Sequence, residues 1–163
     1  MNSTDTAISQ NPVVVIGYGN SLRSDDGVGQ LVATQVQGWE LPSLRVLAVH
    51  QLTPELAETL ESAKYAIFID ACPVSEAETD SAGGSHGVQV CPLQPMDAEN
   101  FSMGHVSDPR SLLALTQVVY GHSPPAWLIT IPAINFEFGE NLSPLAQQGV
   151  TLALNEIRHL LAN

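Results

Sequence analysis

Cations are the scarcest feature of this 163-residue chain: Lys64, Arg23, Arg45, Arg110 and Arg158 stand against 17 acidic residues, for a formal net charge of −12. A protein that grips a phosphate backbone needs a basic surface, so nucleic acid is excluded as a partner. The acidity reads as a solubilising surface, with attraction to a basic protein surface as the second explanation. Cysteine is nearly absent as well. Cys72 and Cys91 are too few for a disulfide framework, and both are expected as reduced thiols. No apolar run approaches the roughly 18 residues that span a bilayer, so no membrane partner is expected. Residues 1–11 lack the basic and apolar regions of a signal peptide and are expected to form a flexible tail, with a cytoplasmic location by default. Residues 12–163 suffice for one core and not for two, so a single domain is expected, as a monomer.

What is present is organised around Val13 to Gly29. A β-branched run stops at Gly17, a glycine-rich turn follows, Asp25 and Asp26 close it, and a helix pattern begins at once. Val28, Leu31, Val32 and Val36 recur at helical spacing and predict a helix over 27–37. Residues 44–49 predict a strand, Pro54 opens a short helix with Leu56, Ala57 and Leu60 on one face, and Tyr65 to Asp70 predicts a strand buried on both sides. Residues 73–86 turn polar and small, which predicts a surface loop. Residues 87–93 alternate as a half-exposed strand near the sheet edge.

Asp108-Pro109 carries the cap-plus-proline signature of a helix, with Leu112, Leu115 and Val119 as its buried stripe up to Tyr120-Gly121. A strand over 127–131, a loop over 132–141 and a long helix after Ser143-Pro144 complete the chain. The order β-α-β-α-β-β-α-β-α predicts an α/β fold. Its expected form is a three-layer α/β/α sandwich with a mainly parallel five-stranded twisted sheet and helices on both faces.

In such folds ligands sit in the crevice beyond the carboxyl ends of the strands, which is where Asp26 and Asp70 fall. Gly17-Tyr-Gly19 admits a dinucleotide site, but the third glycine of that fingerprint is replaced by Leu22 and the acid after the second strand by His50. Asp25 and Asp26 would also repel a phosphate there. The competing reading is a metal site. Asp26, Asp70 and His105 can reach one rim, and two carboxylates with one imidazole leave positions open for water or substrate. Nickel and zinc both suit such ligands. Each residue also has a plainer explanation: Asp25 or Asp26 as a helix N-cap, Asp70 as an acceptor of backbone hydrogen bonds, His105 as a solvated loop residue. His50 is the reserve ligand. Cys72 reads as a loop thiol, and Ser21 and Ser24 lack the setting of a hydrolase nucleophile.

The run Gly17-Tyr-Gly19-Asn20-Ser-Leu22-Arg-Ser-Asp25-Asp26-Gly27-Val-Gly29 resembles the N-terminal signature of the hydrogenase maturation proteases. These endopeptidases remove a C-terminal extension from the large subunit of nickel-iron hydrogenases. The resemblance continues through Phe68-Ile-Asp70-Ala71, Ser102-Met-Gly-His105 and Gly139-Glu-Asn-Leu142-Ser143-Pro144, and so covers nearly the whole chain. It is similar to members from cyanobacteria that act on bidirectional or uptake hydrogenases. Carried over by position, it implies a metal-binding trio of Asp26, Asp70 and His105, with aspartate at 26 where many relatives have glutamate. Asp25 is an added candidate beside the catalytic trio. It further implies that nickel arrives with the precursor, that the hydrogenase large-subunit precursor is the partner, and that no nucleotide is used. A nickel-binding chaperone that does not hydrolyse, or a nucleotide-binding α/β domain, are the alternatives.

Overall fold

The computed structural model of the chain describes residues 11–75 and 87–163. The expected tail, apart from Asn11, and the expected loop at 73–86, apart from its ends, lie outside the described residues. Five strands form one sheet: β1 (Val13–Tyr18), β2 (Leu44–Val49), β3 (Tyr65–Pro73), β4 (Gln89–Leu93) and β5 (Ala126–Ala133). Four α-helices accompany them: α1 (Val28–Gln37), α2 (Leu56–Glu61), α3 (Pro109–Tyr120) and α4 (Pro144–Ala162), with a 3-10 turn at Ser24–Gly27 ahead of α1. The sheet order is β2-β1-β3-β5-β4, parallel except for β4, which runs antiparallel along the edge.

Alternation along the strands sorts the core into two layers. Val13, Val15, Ile67 and Ile69 pack with Val32 and Val36 of α1 and with Val150 and Ile157 of α4. Val14, Ile16, Ala66 and Phe68 face the other way, against Leu60 of α2 and Leu112 and Leu113 of α3. Val14, Val15, Ile16, Ile67, Phe68 and Ile69 are wholly buried, as parallel strands covered on both faces require. Each such side chain stabilises the fold by about 1.5–3 kcal/mol before the entropy of ordering is counted. The expected three-layer α/β architecture is therefore observed.

Helix ends follow their local chemistry. Asp108 and Ser111 form a reciprocal capping box at the start of α3, and Gly121, at φ 84°, closes it in the left-handed conformation. Two expectations need correction. Val119 is 54% exposed and Leu31 37% exposed, although periodicity put both on buried faces. All of 117–120 is exposed, so the apolar period of α3 outlasts the surface available to cover it. Strands β3 and β5 also run on to Pro73 and Ala133, because they pair with each other beyond the point where their apolar patterns stop.

The connections set the site. From β1 the chain crosses by α1 to β2 on one side, and from β2 by α2 to β3 on the other side of β1. The chain thus reverses direction at the β1–β3 pair, and a crevice opens beyond their carboxyl ends.

Candidate functional site

The turn after β1 is dense because its glycines admit neighbouring backbone. A Cβ on Gly17 would overlap the Gly29 carbonyl oxygen, so α1 lies directly on the strand. Gly19, at φ 141°, passes against the Asp26 backbone, where any side chain would collide. Asp26 is half-buried, and its Oδ2 accepts the Asn20 N–H at 2.8 Å. Asn20 Oδ1 in turn accepts the Leu22 N–H at 2.9 Å. The loop is thereby shaped around the carboxylate.

Asp25 has a different task. It is fully buried. Its Oδ2 accepts the N–H groups of Ile134 and Asn135 at 3.0 Å each and the Ser143 hydroxyl at 2.7 Å, while Oδ1 accepts the Ser143 N–H at 2.7 Å. Burial works against its charge, but these donors outweigh it and hold the carboxyl below its ordinary range. The N-cap expectation for the two aspartates is corrected: neither side chain caps the 3-10 turn or α1. The donors reaching Asp25 come from the 134–143 loop, and an acid already satisfied there has no reason to turn to the helix start.

The backbone around Asp25 is stitched to that same loop. Ser24 N–H donates to the Gly139 oxygen at 2.7 Å, Gly139 N–H to the Leu22 oxygen at 2.7 Å, and Asp25 N–H to the Asn135 oxygen at 2.9 Å. Ser24 Oγ donates to the Glu137 oxygen at 2.8 Å and Arg23 Nε to the Phe136 oxygen at 3.2 Å. Ser24 sits at φ 51°, a left-handed conformation that a non-glycine residue holds only when its surroundings compensate. The N–H groups of Gly19, Asn20 and Leu22 to Asp26 all have acceptors inside the protein, so this turn offers no row of amides to a pyrophosphate.

Asp70 lies half-buried in β3, one position beyond the Gly17–Ile69 pair. Burial pushes its carboxyl up to about 6; the Tyr18 hydroxyl and the Ala71 N–H favour the charge, while the Asp26 carboxylate opposes it. Asp26 and Asp70 are thus near enough to repel each other. Tyr18, the middle residue of Gly17-Tyr-Gly19, assumes no role in the motif reading, yet it stands beside Asp70. Burial first, and then the Asp70 charge, keep its hydroxyl protonated well above the ordinary tyrosine range. The signal for it was strand alignment, since Tyr18 follows Gly17 as Asp70 follows Ile69 in the paired strands β1 and β3.

His105 is exposed, in the segment leading to α3, where its N–H donates to the Ser102 oxygen at 3.0 Å. Among the described residues no three His, Cys, Asp or Glu side chains converge closely enough to hold a metal ion. Asp26 and Asp70 thus lie near enough to interact, and among the described residues neither they nor His105 belong to a group that could hold a metal ion. His50 is exposed after β2, and Cys72 and Cys91 are free and exposed. No described helix is long and apolar enough to cross a membrane.

A mostly parallel α/β sandwich with an acidic crevice at its switch point is the class that fold and site define. No family model and no curated protein matches the sequence. Solved structures do match the fold. The hydrogenase maturating endopeptidase HybD of Escherichia coli aligns over 93% of this chain and 92% of its own, with TM-score 0.69 and 16% identity. The nickel-iron hydrogenase maturation protease HycI of Thermococcus kodakarensis aligns over 95% of both chains, with TM-score 0.65 and 19% identity. A hydrogenase 2 maturation peptidase from a Thaumarchaeota archaeon covers 92% of this chain and 97% of its own, with TM-score 0.62 and 19% identity. At such identities the likeness establishes the shared fold.

Proposed function

We propose that this chain is an endopeptidase that removes the C-terminal extension of a nickel-iron hydrogenase large-subunit precursor after nickel insertion. One observation carries the reading: Asp26 and Asp70 lie near enough to repel each other beyond the carboxyl ends of β1 and β3, in a fold shared, nearly end to end, with structures named as hydrogenase maturation proteases. The motif residues around Gly17 to Gly29 and the Ser102 to His105 segment add to it. The cyanobacterial branch is part of the same proposal.

Nickel enters this scheme as part of the substrate. Two carboxylates that repel across a crevice are relieved by a cation placed between them, and oxygen ligands leave room for a metal already held by the precursor. Asp26 and Asp70 supply two contacts. His105, exposed on its own segment, supplies the third when the precursor seats. A trio that closes only around an incoming metal makes nickel insertion the condition for cleavage, because the scissile bond is positioned only then. Hydrolysis then follows either by polarisation of the scissile carbonyl by the metal or by attack of a water activated by a carboxylate. Asp25 acts through the turn it clamps, as a positioning residue.

The test incubates purified protein with nickel-loaded precursor and follows precursor mass. Loss of a C-terminal peptide is expected; an unchanged mass with every nickel-iron precursor rejects the reading. A precursor that binds yet is never shortened would indicate the non-hydrolytic chaperone instead. Asp26→Asn and His105→Ala are expected to abolish processing with the fold intact, and processing retained in either variant removes that residue from the site.

A further inference from the structure

Among the described large apolar side chains Phe138 is the most exposed, at 87%, and its neighbour across the stitched loops, Leu22, is 49% exposed. Single exposed apolar residues are ordinary on protein surfaces. These two differ in how they are held. Phe138 lies between Glu137, whose oxygen accepts from Ser24 Oγ at 2.8 Å and whose N–H donates to Asn135 Oδ1 at 3.1 Å, and Gly139, whose N–H and oxygen pair with Leu22 and Ser24 at 2.7 Å each. The fully buried Asp25 carboxylate ties the base of the same loop through Ile134, Asn135 and Ser143. Hydrogen bonds on both sides of Phe138 therefore present its aromatic ring to solvent on a tied backbone. Nothing in the core requires that ring.

Next to Leu22 in the chain, and bridged to Gly139, stands Arg23, an exposed cation on a strongly acidic protein. Its Nε is engaged with the Phe136 oxygen, and among the described residues no carboxylate lies within 4.0 Å of its guanidinium. An arginine with its terminal nitrogens free, flanked by exposed apolar side chains on a rigid scaffold, has the composition of a protein-binding hot spot. A preorganised loop loses little entropy on binding, so its contacts convert more fully into affinity. The patch adjoins the site directly, since the Asp26 N–H donates to the Arg23 oxygen at 3.1 Å.

We propose that Leu22, Arg23 and Phe138 form the docking surface for the folded body of the hydrogenase large-subunit precursor, which presents an apolar socket rimmed by a carboxylate. Phe138 fills the socket, Leu22 seals its edge, and Arg23 meets the carboxylate. The proposal rests on the protease reading for the identity of the partner. It adds a recognition element beside Asp26, whose N–H donates to the Arg23 oxygen at 3.1 Å, so that the seated precursor is held next to the carboxylates that reach its nickel.

The probe is purified nickel-loaded large-subunit precursor carrying its C-terminal extension, with affinity measured by calorimetry and cleavage by mass spectrometry in parallel. Phe138→Ser and Leu22→Ser are each expected to weaken binding by about tenfold with unchanged melting temperature, a loss of about 1.4 kcal/mol. Arg23→Gln is expected to flatten the salt dependence of binding. Serine variants that lose less than about threefold in affinity overturn the docking surface and leave the protease reading standing. Wild-type protein that binds without cleaving fails the protease reading, while the same variants still decide the docking. Wild-type protein that neither binds nor cleaves overturns both.

Discussion

The clamped turn at Asp25 and the open end of β3 at Asp70 hold the same functional group in opposite states. Asp25 is the more deeply buried of the two, yet its carboxyl lies below the ordinary range, because four donors from Ile134, Asn135 and Ser143 converge on it. Asp70 is only partly covered, yet its carboxyl is pushed up to about 6, because burial and the Asp26 charge outweigh the help of Tyr18 and Ala71. Burial alone does not decide the charge of an acid; the count of donors aimed at it does. The fully satisfied aspartate holds the fold together, and the one with fewer donors costs stability where chemistry is proposed.

The largest expected effect comes from breaking the satisfied side. Asp25→Ala leaves four donors facing a hole and is expected to destabilise the fold by about 3–5 kcal/mol in chemical denaturation. A loss below about 1 kcal/mol would mean that water replaces the carboxylate and that the contrast with Asp70 is false. Because the Asp25 carboxyl is lowered on folding, its contribution is present above the ordinary value of 3.8 and disappears as pH falls through the folded value.

Asp70→Asn tests the other side and carries the opposite sign. A carboxyl raised on folding contributes stability below its unfolded value of 3.8 and loses it as pH rises through about 6. The variant is therefore expected to be more stable than the wild type by about 1–3 kcal/mol near neutral pH, the lower part of that range reflecting partial exposure. The advantage should shrink toward zero as pH drops to the unfolded value. Under the proposed function the same variant processes no precursor, so a gain in stability accompanies a loss of activity. Denaturation series across pH would detect a flat difference, which would remove Asp70 from the strained class.

The smallest effect refines the clamp. Ser143→Ala removes the hydroxyl that donates to Asp25 and accepts the Ala146 N–H at 3.2 Å, while the Ser143 N–H keeps its bond to the acid. A cost of about 1–2 kcal/mol is expected, measured by the same denaturation method. An effect equal to that of Asp25→Ala would show that one hydroxyl, and not the set of amides, stabilises the charge.

Elements were legible wherever their signal was local. The Asp108-Pro109 cap, the Ser143 cap and the β-branched run of β1 each rest on residues a few positions apart, and each appears where the pattern predicts. Patterns that depend on a distant surface were less secure. Val119 keeps helical spacing with Leu112 and Leu115, but the last turn of α3 is exposed. The role of Asp25 was illegible because its partners lie 109 to 118 residues away, beyond any spacing rule. Tyr18 was hidden for a related reason, since its neighbour Asp70 belongs to the next strand in the sheet and not in the chain.

The amino-acid order by itself determined the alternation of strands and helices, the glycines that let α1 lie on β1, and the placing of acids at strand ends. All of these follow from periodicity and from backbone sterics within a short window. Only the tertiary structure decided which of two adjacent aspartates is consumed by the fold and which faces the crevice. The donors that neutralise the cost of burying a charge come from a loop more than a hundred residues downstream, and no local rule can tell Asp25 from Asp26 until that loop is in place.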